Sequence, residues 1–176
     1  KPCHQLVQNI LAIQIEPVGP NDWERVRLIR LDSLKENPEA FGATFESEST
    51  RPERYWRARL SKSDFVLASD ASGDVGIMFV DQVDEDFASS CWIRGCWVRP
   101  ESRGTGIMRA FIEYVDSQVA VKPWGVQGLG VWVDNFSAIT AYQNIGFVNV
   151  GEPQPSTSQP GKFYQRMIRT TPVAGF

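Results

Sequence analysis

Residues 98–109 read Val-Arg-Pro-Glu-Ser-Arg-Gly-Thr-Gly-Ile-Met-Arg, a glycine-containing turn between a strand-like run and a helical one. Backbone N–H groups at the start of a helix, together with the positive end of its dipole, make a site for an anion such as a pyrophosphate. Gly104 and Gly106 carry no Cβ to keep a ligand off the backbone, and Arg99, Arg103 and Arg109 supply positive charge nearby. On residue types alone, the segment reads equally well as a tight strand-to-helix turn with no ligand. Other phosphate motifs fit poorly: a P-loop needs Gly-Lys-Ser/Thr after a longer spacer, and a dinucleotide fingerprint needs a third glycine and a place after the first strand.

Other chemistries lose ground for lack of parts. The single histidine, His4, is near the start of the chain, so the body has no partner for a Ser-His or Cys-His dyad. Cys3, Cys91 and Cys96 are an odd set without metal-site or disulfide-framework spacing, and no metal site is read. Cys91 and Cys96 are five apart in one strand-like run, so plain alternation sends them to opposite faces, where they cannot pair. A reducing, cytoplasmic setting is expected. The net charge of −3 gives none of the basic footprint of a nucleic-acid binder. Leu6 to Ile15 is interrupted by Gln8, Asn9 and Gln14, so neither a membrane span nor a signal peptide is read there.

The elements that must position the turn follow from patterning. With 176 residues, 42% hydrophobic and 22% charged, the chain is expected to form one domain over 1–176. Ile13 to Val18 alternates as a strand. Asn21 and Glu24 look like a capping box opening a helix through Leu28, Leu31 and Leu34 to about Lys35, where Asn37-Pro38 ends it. Phe41 to Ser49 reads as a loop, and Thr50 with Glu53 as the box of a second helix, Arg51 to Leu60. Strands are expected at Phe65–Ala68, Val75–Val80 and Ser89–Val98, with the acidic stretch Asp81 to Asp86 as the connection before the third. Gly95 inside that third run suggests a bulge. Ile107, Phe111, Ile112, Val115 and Val119 space out a long amphipathic helix from Thr105. A strand at Gln127–Val133, a helix at Ser137–Asn144 stopped at Gly146, and strands at Phe147–Val150 and Phe163–Ile168 complete a mixed α/β order with a largely antiparallel sheet. Tyr142, on the last helix, reads by itself as a core aromatic with its hydroxyl at water.

The order Val98-x-Pro-x-x-Arg103-Gly104-x-Gly106-Ile107, between the third main strand and a long helix, resembles the acetyl-CoA motif of the GNAT superfamily of N-acetyltransferases. Asn37-Pro38-Glu39-Ala40-Phe41-Gly42 is similar to many bacterial members. Val133-Asp134-Asn135-Phe136-Ser137-Ala138-Ile139, followed by Tyr142 and Ile145-Gly146-Phe147, resembles the family's second signature. One position departs: the family pattern closes on Gly or Ala where this chain has Met108, a larger side chain that crowds the pyrophosphate or the helix packing.

The resemblance implies a GNAT-like α/β (α+β) fold, a mixed, largely antiparallel sheet flanked by helices with a bulged central strand. It implies acetyl-CoA as cosubstrate, its pyrophosphate on Arg103, Gly104, Thr105, Gly106, Ile107 and Met108, and its arm along Cys96, Trp97 and Val98. Tyr142 becomes both a contact to the cosubstrate and the proton donor for the departing thiolate, and Asn135 either caps the helix or bonds the arm. The base comes from Glu46, Glu48, Asp81, Asp84, Glu85 and Asp86, which stand where the family builds its acceptor groove, each with a solvated acidic loop as the plainer reading. A covalent role for Cys96 is disfavoured, since direct transfer needs no acyl-enzyme. The expected activity is acetyl transfer to a primary amine of a small molecule or of a peptide or protein N-terminus, with a non-catalytic acyl-CoA-binding module as the alternative. The acidic clusters mildly favour a cationic acceptor. The expected partner is a small-molecule amine or peptide acceptor, with no nucleic acid and no membrane, and a homodimer is compatible with this reading.

Overall fold

The computed structural model describes residues 12–172; Cys3, His4 and most of the Leu6 to Ile15 segment lie outside them. In chain order the elements are β1 (Gln14–Val18), α1 (Trp23–Glu36), α2 (Phe45–Ser49), α3 (Glu53–Lys62), β2 (Asp64–Asp70), β3 (Gly73–Asp86), β4 (Ser89–Val98), α4 (Ile107–Ser117), β5 (Val126–Trp132), α5 (Phe136–Ile145), β6 (Val148–Pro155) and β7 (Phe163–Thr170). The strands form one sheet in the order β1-β2-β3-β4-β5-β7-β6, antiparallel throughout except where β4 meets β5. No helix among the described residues is long and apolar enough to cross a membrane.

Alternation along the strands feeds two cores. In β2, Val66 and Ala68 face one layer while Phe65 and Leu67 face the other. The first layer is closed by α4, whose Ile107, Phe111, Ile112 and Val115 are buried at helical spacing as expected, while Val119, expected on the same stripe, lies past the helix and is exposed; the second is closed by α1 and α3. Each large side chain so buried stabilises by roughly 1.5–3 kcal/mol, which fixes α4, and the turn before it, against the sheet.

Of the three leucines that mark out α1, Leu31 and Leu34 are buried as expected, on a stripe that the helix fills with other residues. Val26, Ile29, Arg30, Ser33 and Leu34 are buried at i, i+3, i+4, i+7, i+8, whereas Leu28 is 61% exposed. An arginine and a serine on the buried stripe disguise its period. At its start the box is not Asn21 with Glu24: a 3-10 turn, Pro20–Asp22, precedes the helix, and the Asp22 carboxylate accepts from the Gly19 N–H at 3.1 Å. The loop expected at Phe41 to Ser49 contains the short helix α2, capped by Thr44, whose hydroxyl accepts from the Ser47 N–H at 3.1 Å. Thr50 with Glu53 does not cap α3; Pro52 holds that position without a side-chain bond.

Asp81 to Asp86 is strand, not connection. Asp81, Gln82 and Asp86 pair with Trp92, Cys91 and Ser89, so β3 runs on beyond the core as half of a long hairpin. The bulge at Gly95 is present: φ is +61°, and the register jumps from Phe79↔Arg94 to Ile77↔Trp97. That extra residue moves the alternation by one. Cys91, Ile93, Cys96 and Val98 therefore all belong to the α4 layer and Trp97 to the α1 layer. Cys91 and Cys96 thus share a face, against the expectation from plain alternation, and both are free thiols.

Candidate active site

β4 and β5 are paired only at Cys91↔Gln127 and Trp92↔Gly128. Beyond Trp92 the two strands diverge, and the gap opens into two lobes that share Cys96, Asn135, Ala138 and Tyr142 in their walls.

One lobe, of about 650 Å³, runs to the glycine turn. Gly104 and Gly106 adopt φ of +76° and +87°, conformations that favour glycine, and a Cβ at either would meet no atom within 4 Å. Gly106 is the N-cap of α4, whose first helical bond runs from the Ala110 N–H to the Gly106 carbonyl at 2.9 Å. The N–H groups of Ile107, Met108 and Arg109 precede that ladder at the positive end of an 11-residue helix. The turn is braced from behind. Thr105 Oγ1 donates to the Ser102 carbonyl at 2.6 Å, and Arg103 donates through Nε to the Val98 carbonyl at 3.0 Å and through Nη2 to Asn37 Oδ1 at 2.9 Å. Asn37 Oδ1 also accepts from Trp97 Nε1 at 2.9 Å, so the Asn37 to Gly42 stretch ties β4 to the turn. Trp97 contributes backbone to the cleft while its indole is buried in the α1 layer. Met108 packs partly against the α4 core and lines the lobe without filling it. Arg109 and Lys162 face the same space, but Arg99 does not: it pairs with Asp32 at 2.8 Å and bonds the Asp74 carbonyl.

At the junction stands Tyr142, its hydroxyl against the Cys96 thiol. It is 9% exposed and packs edge-on against Phe147, so the core reading of its ring is right. Burial, with Cys96 beside it, holds the hydroxyl well above the usual tyrosine range, so it stays protonated at any working pH. Burial likewise pushes the Cys96 thiol up to about 12, which removes the thiolate that a nucleophile would need. Asn135 caps α5 by accepting from the Ala138 N–H at 3.3 Å and still borders both lobes.

The second lobe, of about 470 Å³, is walled by Phe41, Phe79, Trp92 and Tyr164 and by three arginines, Arg30, Arg94 and Arg166. Of the expected bases only Asp86 lines it, and it pairs with Arg166 at 3.3 Å. Glu48 is buried in a clamp between Arg30 and Arg59, Asp81 pairs with Arg94 and accepts from Ser63, and Glu46, Asp84 and Glu85 are exposed. Sequence reasoning missed Arg30 and Arg166 altogether. The available signal for Arg30 was a charge on the buried stripe of α1; Arg166 alternates inside a strand and carries none.

A family model described as an acetyltransferase (GNAT) domain matches residues 61–149. No curated protein matches the chain by sequence. Among solved structures, a GNAT-family acetyltransferase from Streptococcus pneumoniae superposes with a TM-score of 0.72 at 15% identity, over 92% of this chain and 100% of that one. The ribosomal-protein-S18-alanine N-acetyltransferase from Escherichia coli gives 0.65 at 15%, over 93% and 97%. Spermidine N-acetyltransferase from Vibrio cholerae, in complex with CoA and spermine, gives 0.67 at 14%, over 90% and 95%. At these identities the likeness is one of fold.

Proposed function

Because the chain belongs to the GNAT acetyltransferase family, and so is an acyltransferase, we propose that it moves an acetyl group from acetyl-CoA directly to a primary amine within the two-lobed cleft. The observation that carries this reading is the parting of β4 from β5, which leaves an anion-ready turn at the end of one lobe and a second open lobe beyond Tyr142. A binding-only module has no use for that second lobe.

Acetyl-CoA, when bound, supplies a thioester-activated acetyl group. Residues 103–108 would hold its pyrophosphate through free N–H groups, with Arg109 and Lys162 adding charge, and the β4 edge at Cys96 to Val98 would hold its arm. The open space before Gly104 and Gly106 fits such a group. In the transfer a C–N bond forms and the C–S bond breaks, the amine gives up one proton, and the departing sulfur takes one up. Tyr142 holds a proton at the junction for that sulfur. An alkylamine with a pKa near ~10.4 arrives protonated, so it must be stripped first; Asp86, the one carboxylate lining the acceptor lobe among the described residues, receives that proton through water.

Acetyl-CoA at about 100 times its Kd should stabilise the native state by ~2.7 kcal/mol, which for this length is a rise in Tm of roughly 5–10 °C. Differential scanning fluorimetry reads it. An unmoved Tm at millimolar acetyl-CoA and at millimolar CoA sinks the assignment.

A further inference from the structure

The expectation of a cationic acceptor meets a lobe of the same, positive sign. Arg30, Arg94 and Arg166 line it against Asp86 alone. With the carboxylates behind the walls included, Glu48 on Arg30 and Arg59 and Asp81 on Arg94, four arginines still face three acids.

Two of the lining guanidinium groups are also left incomplete. Arg30 Nη1 and Arg166 Nε are buried and have no hydrogen-bond partner among the described residues. Arg30 is only 5% exposed. Its Nε and Nη2 are taken by Glu48 at 3.1 and 3.4 Å, and its plane lies 4.9 Å over the Phe41 ring. The remaining Nη1 stands against the bulge, 3.5 Å from where a Cβ of Gly95 would be. A buried charged donor without an acceptor is among the costlier features a core can hold, and it is kept where something else completes it. Charge-assisted bonds from an arginine fork are the natural complement of a carboxylate.

Position narrows the ligand further. Gly95 precedes Cys96, one of the residues both lobes share, so a carboxylate on Arg30 brings an amine on the adjoining carbon to the bulge. Around it the wall is aromatic, with Phe41, Phe79 and Trp92. We propose that the acceptor is an amine carrying its own carboxylate, of the α-amino-acid kind with an apolar side chain, whose carboxylate is held by Arg30 and flanked by Arg94 and Arg166. The proposal rests on the acetyltransferase reading, since it takes the second lobe as the place of the acceptor.

Calorimetry with product-like probes tests it without requiring turnover. N-acetylphenylalanine, N-acetylphenylalaninamide and N-acetylphenethylamine, and the same trio built on leucine, are titrated into the protein with and without CoA. In at least one trio the acid should bind tenfold or more tightly than both neutral analogues. Arg94→Gln, at a half-exposed side chain, should shrink that advantage severalfold. Arg30→Met with Glu48→Met, which removes the buried donor together with the carboxylate it shares with Arg59, should abolish it. Should the double variant fail to fold, the probe series and Arg94→Gln decide. Equal binding of acid and amide in both trios, or preferential acetylation of spermidine over leucine and phenylalanine, overturns the proposal. CoA binding is scored separately: its absence refutes the acetyltransferase reading, whereas CoA bound with no preference for the acid refutes only the carboxylate.

Discussion

On one side of Tyr142 the cleft is made of backbone: left-handed glycines, the first N–H groups of α4 and the β4 edge. On the other side it is made of side chains drawn from α1, β4 and β7, whose arginines meet only in the folded chain. The turn and strand edge of the first lobe come from one short run, residues 96–109, so an anion held there by N–H groups, as proposed, would survive most exchanges of side chain. The second depends on separate residues, and its specificity can change while the fold does not.

Four substitutions strain that contrast, from the largest expected effect to the smallest. Gly106→Glu sets a carboxylate at the helix N-terminus, where bulk and like charge oppose a pyrophosphate. CoA affinity by calorimetry should fall on the order of 10³-fold, while the φ of +87° costs only about 1–3 kcal/mol of stability. Unchanged affinity in the folded variant would place the pyrophosphate elsewhere. Gly95→Ala drives a Cβ to 2.6 Å from Phe79 Cε1 at a φ of +61°. A loss of about 3 kcal/mol is expected from denaturant midpoints, and a loss under ~1 kcal/mol would mean that the bulge relaxes freely. Tyr142→Phe keeps the ring and deletes the hydroxyl. Single-turnover transfer should slow about 10²-fold with cofactor affinity intact; a rate near wild type removes Tyr142 from the chemistry. Since burial raises that hydroxyl far above its usual range, the wild-type rate should show no downward limb from its ionisation as pH rises to about 10. Cys96→Ser should do least, within about threefold in rate, because a thiol pushed up to about 12 is no nucleophile at neutral pH. A trapped acyl-enzyme in the wild type, lost in Cys96→Ser, would reverse that reading.

The backbone lobe was legible because its signals are local. The glycines of 104 and 106, the spacing of Ile107, Phe111, Ile112 and Val115, and the stop at Gly146 all lie next to what they build. What escaped depends on neighbours in space. Plain alternation sends Cys91 and Cys96 to opposite faces, but the bulge re-phases everything after it, and the sequence shows the glycine but not the shift. Asp81 to Asp86 looked like a loop because a hairpin projecting past the core need not be apolar. Arg30 hid on α1 because Leu31 and Leu34 already supply an apolar face there, and its partner Glu48 lies on a helix capped by the less obvious Thr44 and Ser47.

The divergence of β4 from β5 has a mechanical side. Two register pairs are all the strand pairing that joins the plate β1-β2-β3-β4 to the plate β5-β7-β6. A ligand seated in the gap lies where further rungs of the ladder would have been. Acetyl-CoA held there, as proposed, would be a temporary crossbar between the two half-sheets.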